Sequence, residues 1–212
     1  MKKTIILVTL AMLALSARGQ RIHAFVSSGA TLSQIEGDEL KGFRMLGYTG
    51  GVGAIAALDQ KGRWSLSVEA LYAQRGAYNN SSDPYRLSLP LRYVDIPLMV
   101  HIQDPYGGMI FGLGLNYGRL LEQPTGAVMY NPDYFVPDTT DMTFRRNELA
   151  AVADIRFRVW SHLMLNLRWQ YSLTPIKRDW HFTEKPHNGA TQQEIYNNCY
   201  SNTIAIRLLW QF

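Results

Sequence analysis

Two-residue alternation, renewed segment after segment, constrains this chain of 212 residues more than any other feature. Leu163, Leu165, Leu167, Trp169, Tyr171 and Leu173 share one parity, while Met164, Asn166, Arg168, Gln170 and Ser172 share the other. Successive side chains of a β-strand point to opposite faces, so the pattern describes a strand lying between an apolar and a polar environment. The last segment repeats it, with Ile204, Ile206, Leu208, Trp210 and Phe212 set against Thr203, Ala205, Arg207, Leu209 and Gln211. No apolar run of about twenty residues occurs, which excludes a helical membrane protein, and an ordinary composition (47% hydrophobic, 18% charged) excludes intrinsic disorder. A mean hydropathy of −0.14 leaves a membrane barrel open, because alternating strands average to the value of a soluble protein.

Read this way, the chain holds eight strands, over 22–31, 46–58, 63–76, 89–102, 108–119, 148–159, 163–173 and 202–212. The connectors alternate in length. Long polar segments (32–45, 77–88, 120–147 and 174–201) follow the first, third, fifth and seventh strands. Short turns follow the others: Asp59-Gln60-Lys61-Gly62, Gln103-Asp104-Pro105-Tyr106-Gly107 and Trp160-Ser161-His162. Long loops at one rim and turns at the other describe an up-and-down antiparallel barrel of the outer-membrane kind, all-β and eight-stranded.

The first residues read as an address. Lys2 and Lys3 precede an apolar run from Ile5 to Leu15, and Ala17-Arg18-Gly19 sets small residues where a signal peptidase cuts. Residues 1–19 are therefore assigned to a cleaved signal peptide and 20–212 to one barrel domain. The leader holds three basic residues and no acid, so 20–212 keep 18 of the 21 basic side chains and all 17 acidic ones. The apparent basicity is mostly an export label, and nothing in it calls for nucleic acid as a partner. Cys199, the single cysteine, cannot form an internal disulfide and lies far from any lipidation position.

Alternation alone does not say which face is outside, since a lipocalin-type barrel has the same period. Three features favour an apolar exterior. On the apolar parity Trp64 and Tyr72, Met109 and Tyr117, and Leu163 and Tyr171 are eight residues apart. At a rise of about 3.3 Å per residue and a tilt near 40° that is about 20 Å of height, close to the apolar band between two aromatic girdles. Trp64, Tyr106, Trp160, Trp210 and Phe212 all fall at the short-turn rim, where amphipathic rings suit a membrane interface. The last strand also ends on Phe212, and a terminal aromatic there resembles the signal read by the outer-membrane barrel-assembly machinery. The opposite face then lines the lumen with Glu69, Asp95, Asp154, Arg156, Arg158, Arg168 and Arg207. Side chains nearly fill a barrel of eight strands, so these groups are expected to form an internal ion network rather than an open pore.

Three segments carry a resemblance. They are Glu69-Ala70-Leu71-Tyr72-Ala73-Gln74-Arg75-Gly76-Ala77, then Tyr93-Val94-Asp95-Ile96-Pro97-Leu98-Met99-Val100, then Phe111-Gly112-Leu113-Gly114-Leu115-Asn116-Tyr117-Gly118. In order and spacing they resemble the PorT-type outer-membrane β-barrel family of Bacteroidetes, with Ala70 and Val94-Asp95 departing from its pattern. The resemblance spans 22–175 and implies an outer-membrane location more than an activity. Its namesake's part in protein secretion comes to this chain only by analogy of fold.

No sequence motif calls for a cofactor or a metal. Glu69 and Asp95 are the carboxylates nearest to an acid–base pair, and lumen arginines are the simpler partners for both. His181-x-x-Glu184-x-x-His187 has ligand-type residues but no second cluster to complete a zinc site. Gly47-Tyr48-Thr49-Gly50-Gly51-Val52-Gly53 lacks the lysine and helix of a phosphate loop. Arg145-Arg146 and Lys177-Arg178 fall near the long-loop rim, where lipopolysaccharide phosphates or water alone could face them. His101 and His162 are placed at the turn rim, and no serine–histidine–acid set is evident. The expectation is a non-enzymatic barrel in contact with outer-membrane lipid, presenting 120–147 and 174–201 to a protein partner. A lipid-modifying enzyme, a narrow solute channel and a secretion accessory are the competing readings. The loop aromatics Tyr130, Tyr134, Phe135, Phe144, Trp180, Phe182, Tyr196 and Tyr200 suit either a contact surface or packing over the barrel mouth.

Overall fold

The computed structural model describes residues 22–38, 42–78, 85–106, 108–124, 128–130, 135–137, 143–184 and 193–212. In chain order its strands are β1 (Ile22–Glu36), β2 (Met45–Ala57), β3 (Trp64–Tyr78), β4 (Tyr85–Gln103), β5 (Met109–Glu122), β6 (Val128–Tyr130), β7 (Phe135–Pro137), β8 (Asn147–Arg158), β9 (Leu163–Ser172), β10 (Lys177–Glu184) and β11 (Gln193–Gln211). Eight of them, β1 to β5 with β8, β9 and β11, form the barrel, each antiparallel to the next. β1 then pairs with β11, from Phe25 opposite Gln211 to Glu36 opposite Tyr200, so the sheet has no free edge among these eight. The described residues contain no helix. The predicted leader at 1–19 lies outside them.

Parity behaves as the alternation requires. Along β9 the burial of side chains alternates without a break, with Asn166, Arg168 and Gln170 inside and Leu165, Leu167 and Trp169 outside. Turn chemistry fixes the short rim. Asp59 accepts the Trp64 amide on its side chain at 2.7 Å and the Gly62 amide on its carbonyl at 3.1 Å, which closes the turn between β2 and β3.

The long-loop rim differs from expectation. β1 runs on to Glu36, β4 starts at Tyr85 and β11 at Gln193, so stretches read as polar loops are sheet. The three remaining strands stand there: β6 beside β4, β7 beside β10, and β10 beside β11. β11 changes partner on the way up, from β9 as far as Asn202 to β10 from Cys199 onward. The reason for the misreading lies inside the barrel. At this end the inward positions turn apolar, as at Ile35 and Leu120, and the outward ones polar, as at Glu36 and Arg119, so the contrast that marks the strands lower down is reversed.

Candidate functional site

The ionisable residues of the lumen gather into two clusters stacked along the barrel. The lower one is centred on Glu69, an inward position of β3. Arg168 on β9 reaches Glu69 at 2.5 Å and Asp154 on β8 at 2.9 Å through one nitrogen. Arg207 on β11 donates to the other Glu69 oxygen at 2.8 Å, while its Nε and Nη2 hold Asn166 Oδ1 at 2.9 and 2.7 Å. Arg156 lies 3.4 Å from Asp154 and 3.5 Å from Glu69. All five charged side chains are at most 5% exposed. Two carboxylates among three guanidiniums are the arrangement that offsets the desolvation of buried charge, since every oxygen of Glu69 meets a charged donor. The close packing needs Gly112 on β5, where a Cβ would fall 2.5 Å from Asp154 Oδ1 and 2.6 Å from the His101 ring.

The upper cluster has Arg75 at its centre. This guanidinium grips Asp95 with two bonds, at 3.0 and 3.2 Å, and donates to Glu148 at 2.8 Å. Ser172 donates its hydroxyl to the other Glu148 oxygen. The Arg75 guanidinium also lies 3.9 Å from the centre of the Tyr93 ring, a cation–π contact in a desolvated setting. Taken together the two clusters set four guanidiniums against four carboxylates. Between them is a cavity of about 20 Å³, bordered by Thr31, Thr49, Gln170 and Thr203, room for about one water.

Apolar side chains close both ends of this ionic core. Toward the turns, Phe25, Ile110, Met164 and Leu209 pack together, with Ile55 against them. Toward the loops, Ile35, Ala77, Leu89, Leu91, Tyr93, Leu120, Phe144, Ile176 and Cys199 form a larger plug. Phe144 comes from the connector before β8 and is pinned by a reciprocal pair of bonds: Gln123 accepts its amide and donates to its carbonyl, both at 2.8 Å. Of the loop aromatics, then, Phe144 packs over the mouth, and Tyr200 stacks on Tyr171 at 6.3 Å. Tyr134 lies outside the described residues, as do the side chains of Tyr130, Phe135, Trp180, Phe182 and Tyr196.

Of the seven residues read as lumen charge, six meet here, but in separate groups. Glu69, Asp154, Arg156, Arg168 and Arg207 share the lower cluster, and Asp95 joins Arg75 above. Arg158 is a correction: it has inward parity but sits at the last position of β8, where the wall ends, and is exposed. His101 is a second correction. It is fully buried in the lumen, 3.4 Å from Asp154, and not at the rim surface. Arg75 and Glu148 were missed, although Arg75 has the parity of Glu69 and Glu148 that of Asp154.

Outside, two rings of aromatic side chains border an apolar band. Near the loops, Tyr48 stacks on Tyr72 at 5.2 Å, the Tyr117 hydroxyl donates to Asn147 at 3.0 Å, and the Tyr171 hydroxyl donates to Glu36 at 2.9 Å. Near the turns stand Trp64, Tyr106, Trp160, Trp210 and Phe212, all exposed, with His162 stacked on Trp210 at 5.7 Å. His162 and His23 bond there to the backbone carbonyls of Gln211 and Phe212, at 3.0 and 3.1 Å. Ser65 is opposite His101, which lies 3.4 Å from Asp154, but neither ring nitrogen of His101 has a hydrogen-bond partner, so the three are not joined as a triad. The described residues hold no group of three His, Cys, Asp or Glu placed to bind a metal, and the motif from His181 to His187 lies outside the described side chains.

No protein-family model and no curated protein matches the sequence. Among solved structures, Neisserial surface protein A is 10% identical at a TM-score of 0.48, with 89% of this chain and 97% of that one covered. Ail, the attachment invasion locus protein of Yersinia pestis, is 12% identical at a TM-score of 0.47, over 91% of this chain and 99% of that one. A major outer membrane protein from Thermus thermophilus is 13% identical at 0.48, over 91% and 100%. At these values nothing passes from them to the residues or the role of this chain.

Proposed function

We propose that this chain is an integral protein of a bacterial outer membrane, neither a channel nor an enzyme, whose sealed barrel is a rigid base for the loops of one rim. One observation carries the reading: the polarity of the barrel is inverted. Leu113 is 70% exposed and Ile206 55%, while Glu69, Arg75, Arg156 and Arg207 are at most 2% exposed. Apolar surface of this extent facing water is unfavourable at about 25 cal/mol per Å², so the surroundings of the band are lipid. The quoted PorT-type segments support the same location, and the leader at 1–19 supports export. The lumen has no route for solute, because apolar plugs cap a paired ionic core. Recognition by the barrel-assembly machinery through β11 completes the account, and the loops 120–147 and 174–201 are where a protein partner would dock.

Heat-modifiable migration on a denaturing gel tests the barrel, and planar-bilayer recording tests the seal. A band that shifts on boiling, together with conductance at background, is the expected result. Identical migration before and after boiling sinks the barrel reading, and steady conductance sinks the sealed one. N-terminal sequencing of the membrane-bound protein is expected to begin at Gln20.

A further inference from the structure

Three arginines, Arg119, Arg145 and Arg178, have outward parity at the long-loop rim on one side of the barrel, and Arg146, opposite the inward Leu120, stands exposed at the mouth beside them. Arg119 on β5 lies opposite Asn147 on β8. Arg145 and Arg146 lead into β8, held by their own backbones: the Arg146 carbonyl accepts the Leu120 amide and the Arg145 amide donates to the Ile176 carbonyl, both at 2.7 Å. Arg178 follows on β10. All four are exposed, and none has an ion pair among the described residues. Glu122, an acid farther along β5, is taken by Arg92 at 3.1 Å.

Arg145 is two residues before Asn147, the partner of Arg119, and bonds to Ile176, two residues before Arg178, so it stands diagonally from both, at about 7–8 Å for such neighbours. Among the described residues no carboxylate offsets these guanidiniums, and their mutual repulsion opposes folding slightly. Directly beneath them is the Tyr117–Asn147 pair, and beneath that the exposed apolar residues Leu149, Leu115 and Leu113. Cationic arc above, aromatic hinge, apolar wall below: this order matches an amphiphile with an anionic head. Several guanidiniums spread over an arc suit a head with separated phosphates better than one with a single phosphate. We propose that Arg119, Arg145 and Arg178 bind a phosphorylated glycolipid of the outer leaflet bearing at least two phosphate groups. The site rests on the membrane reading above and adds the identity of the lipid.

The test inserts the full-length protein into nanodiscs containing bisphosphorylated lipid A, monophosphorylated lipid A or phosphatidylglycerol, and counts retained lipid by native mass spectrometry. Bisphosphorylated lipid A is expected to be retained about tenfold over either single-phosphate lipid, and R119Q/R145Q/R178Q to lose that preference. R158Q removes the same charge at the opposite rim and is expected to change nothing. Equal retention of the three lipids, or full retention by the triple variant, overturns the site. Capture of a sulfated polysaccharide with no lipid A retained also overturns it. Failure of the membrane reading shows separately, as protein that inserts into none of the nanodiscs and shows no heat-modifiable shift.

Discussion

Glu69 is the residue on which the lumen turns, because three guanidiniums share its two oxygens and Asp154 alone cannot balance them. Removing one partner of a buried ionic group leaves the others uncompensated, at about 3–5 kcal/mol. Glu69→Gln is therefore expected to lower the urea midpoint of folding into lipid vesicles by that cost, and adding Arg207→Gln to restore part of it. If the single variant folds as well as the parent, the cluster is not what holds the lumen together. Cys199 supports a second prediction at this scale. It lies three residues loop-ward of Asn202, the partner of Tyr171, inside the loop-side plug, where burial pushes its thiol up to about 12. A raised thiol means almost no thiolate at pH 8, so alkylation by iodoacetamide is expected only after heating unfolds the barrel. Rapid labelling of the folded protein at pH 8 would show that the plug is open.

At the level of strands, the upper end of the barrel is tied by side chains of β1 that reach β3 past the start of β2, among them Thr31, which donates to the Gln74 carbonyl at 2.5 Å. Ser33, opposite Met45 where β2 begins, reaches across to β3: its hydroxyl accepts the Gly76 amide at 2.8 Å and donates to the Gly76 carbonyl at 3.0 Å. Gly76 has a φ of +149°, and a Cβ there would collide with the Leu89 carbonyl oxygen. Gly76→Ala combines backbone strain with a clash against sheet backbone, so a loss of about 2–3 kcal/mol is expected, read as a smaller heat-modifiable fraction after refolding. Full refolding yield would mean that the rim relaxes freely. Such rim features were the least legible part of the sequence. Strand identity and inward parity were legible wherever charge alternated with apolar residues, from Glu69 to Arg207. The strand ends were not, because there Ile35, Leu120 and Ile176 are apolar on the inside while Glu36 and Arg119 are polar on the outside, the reverse of the pattern below. Arg75 and Glu148 were legible by parity alone, and His101 likewise; what parity does not show is which charge reaches which, since the pairs cross the lumen between strands far apart in sequence.

For the whole molecule, the decisive quantity is the energy of the surroundings at each depth. Leu113 and Leu46 are almost equally exposed, at 70% and 67%, and both face outward. They differ in height: Leu113 is four residues below the Tyr117 ring, whereas Leu46 is two residues above Tyr48 at the loop rim. In water the two positions are equivalent, and an arginine at either is close to neutral. In a bilayer they are not, since an arginine facing lipid costs about 2–4 kcal/mol at the midplane and about 0–1 near the interface. Leu113→Arg is expected to destabilise folding into vesicles by the larger amount and Leu46→Arg by the smaller. The pair isolates the bilayer from every effect of exposure, helped by the closure of β1 on β11, which spreads local strain around a continuous hydrogen-bonded wall. Equal costs at the two sites would mean that the apolar band is covered by protein instead of lipid, whatever the lumen contains.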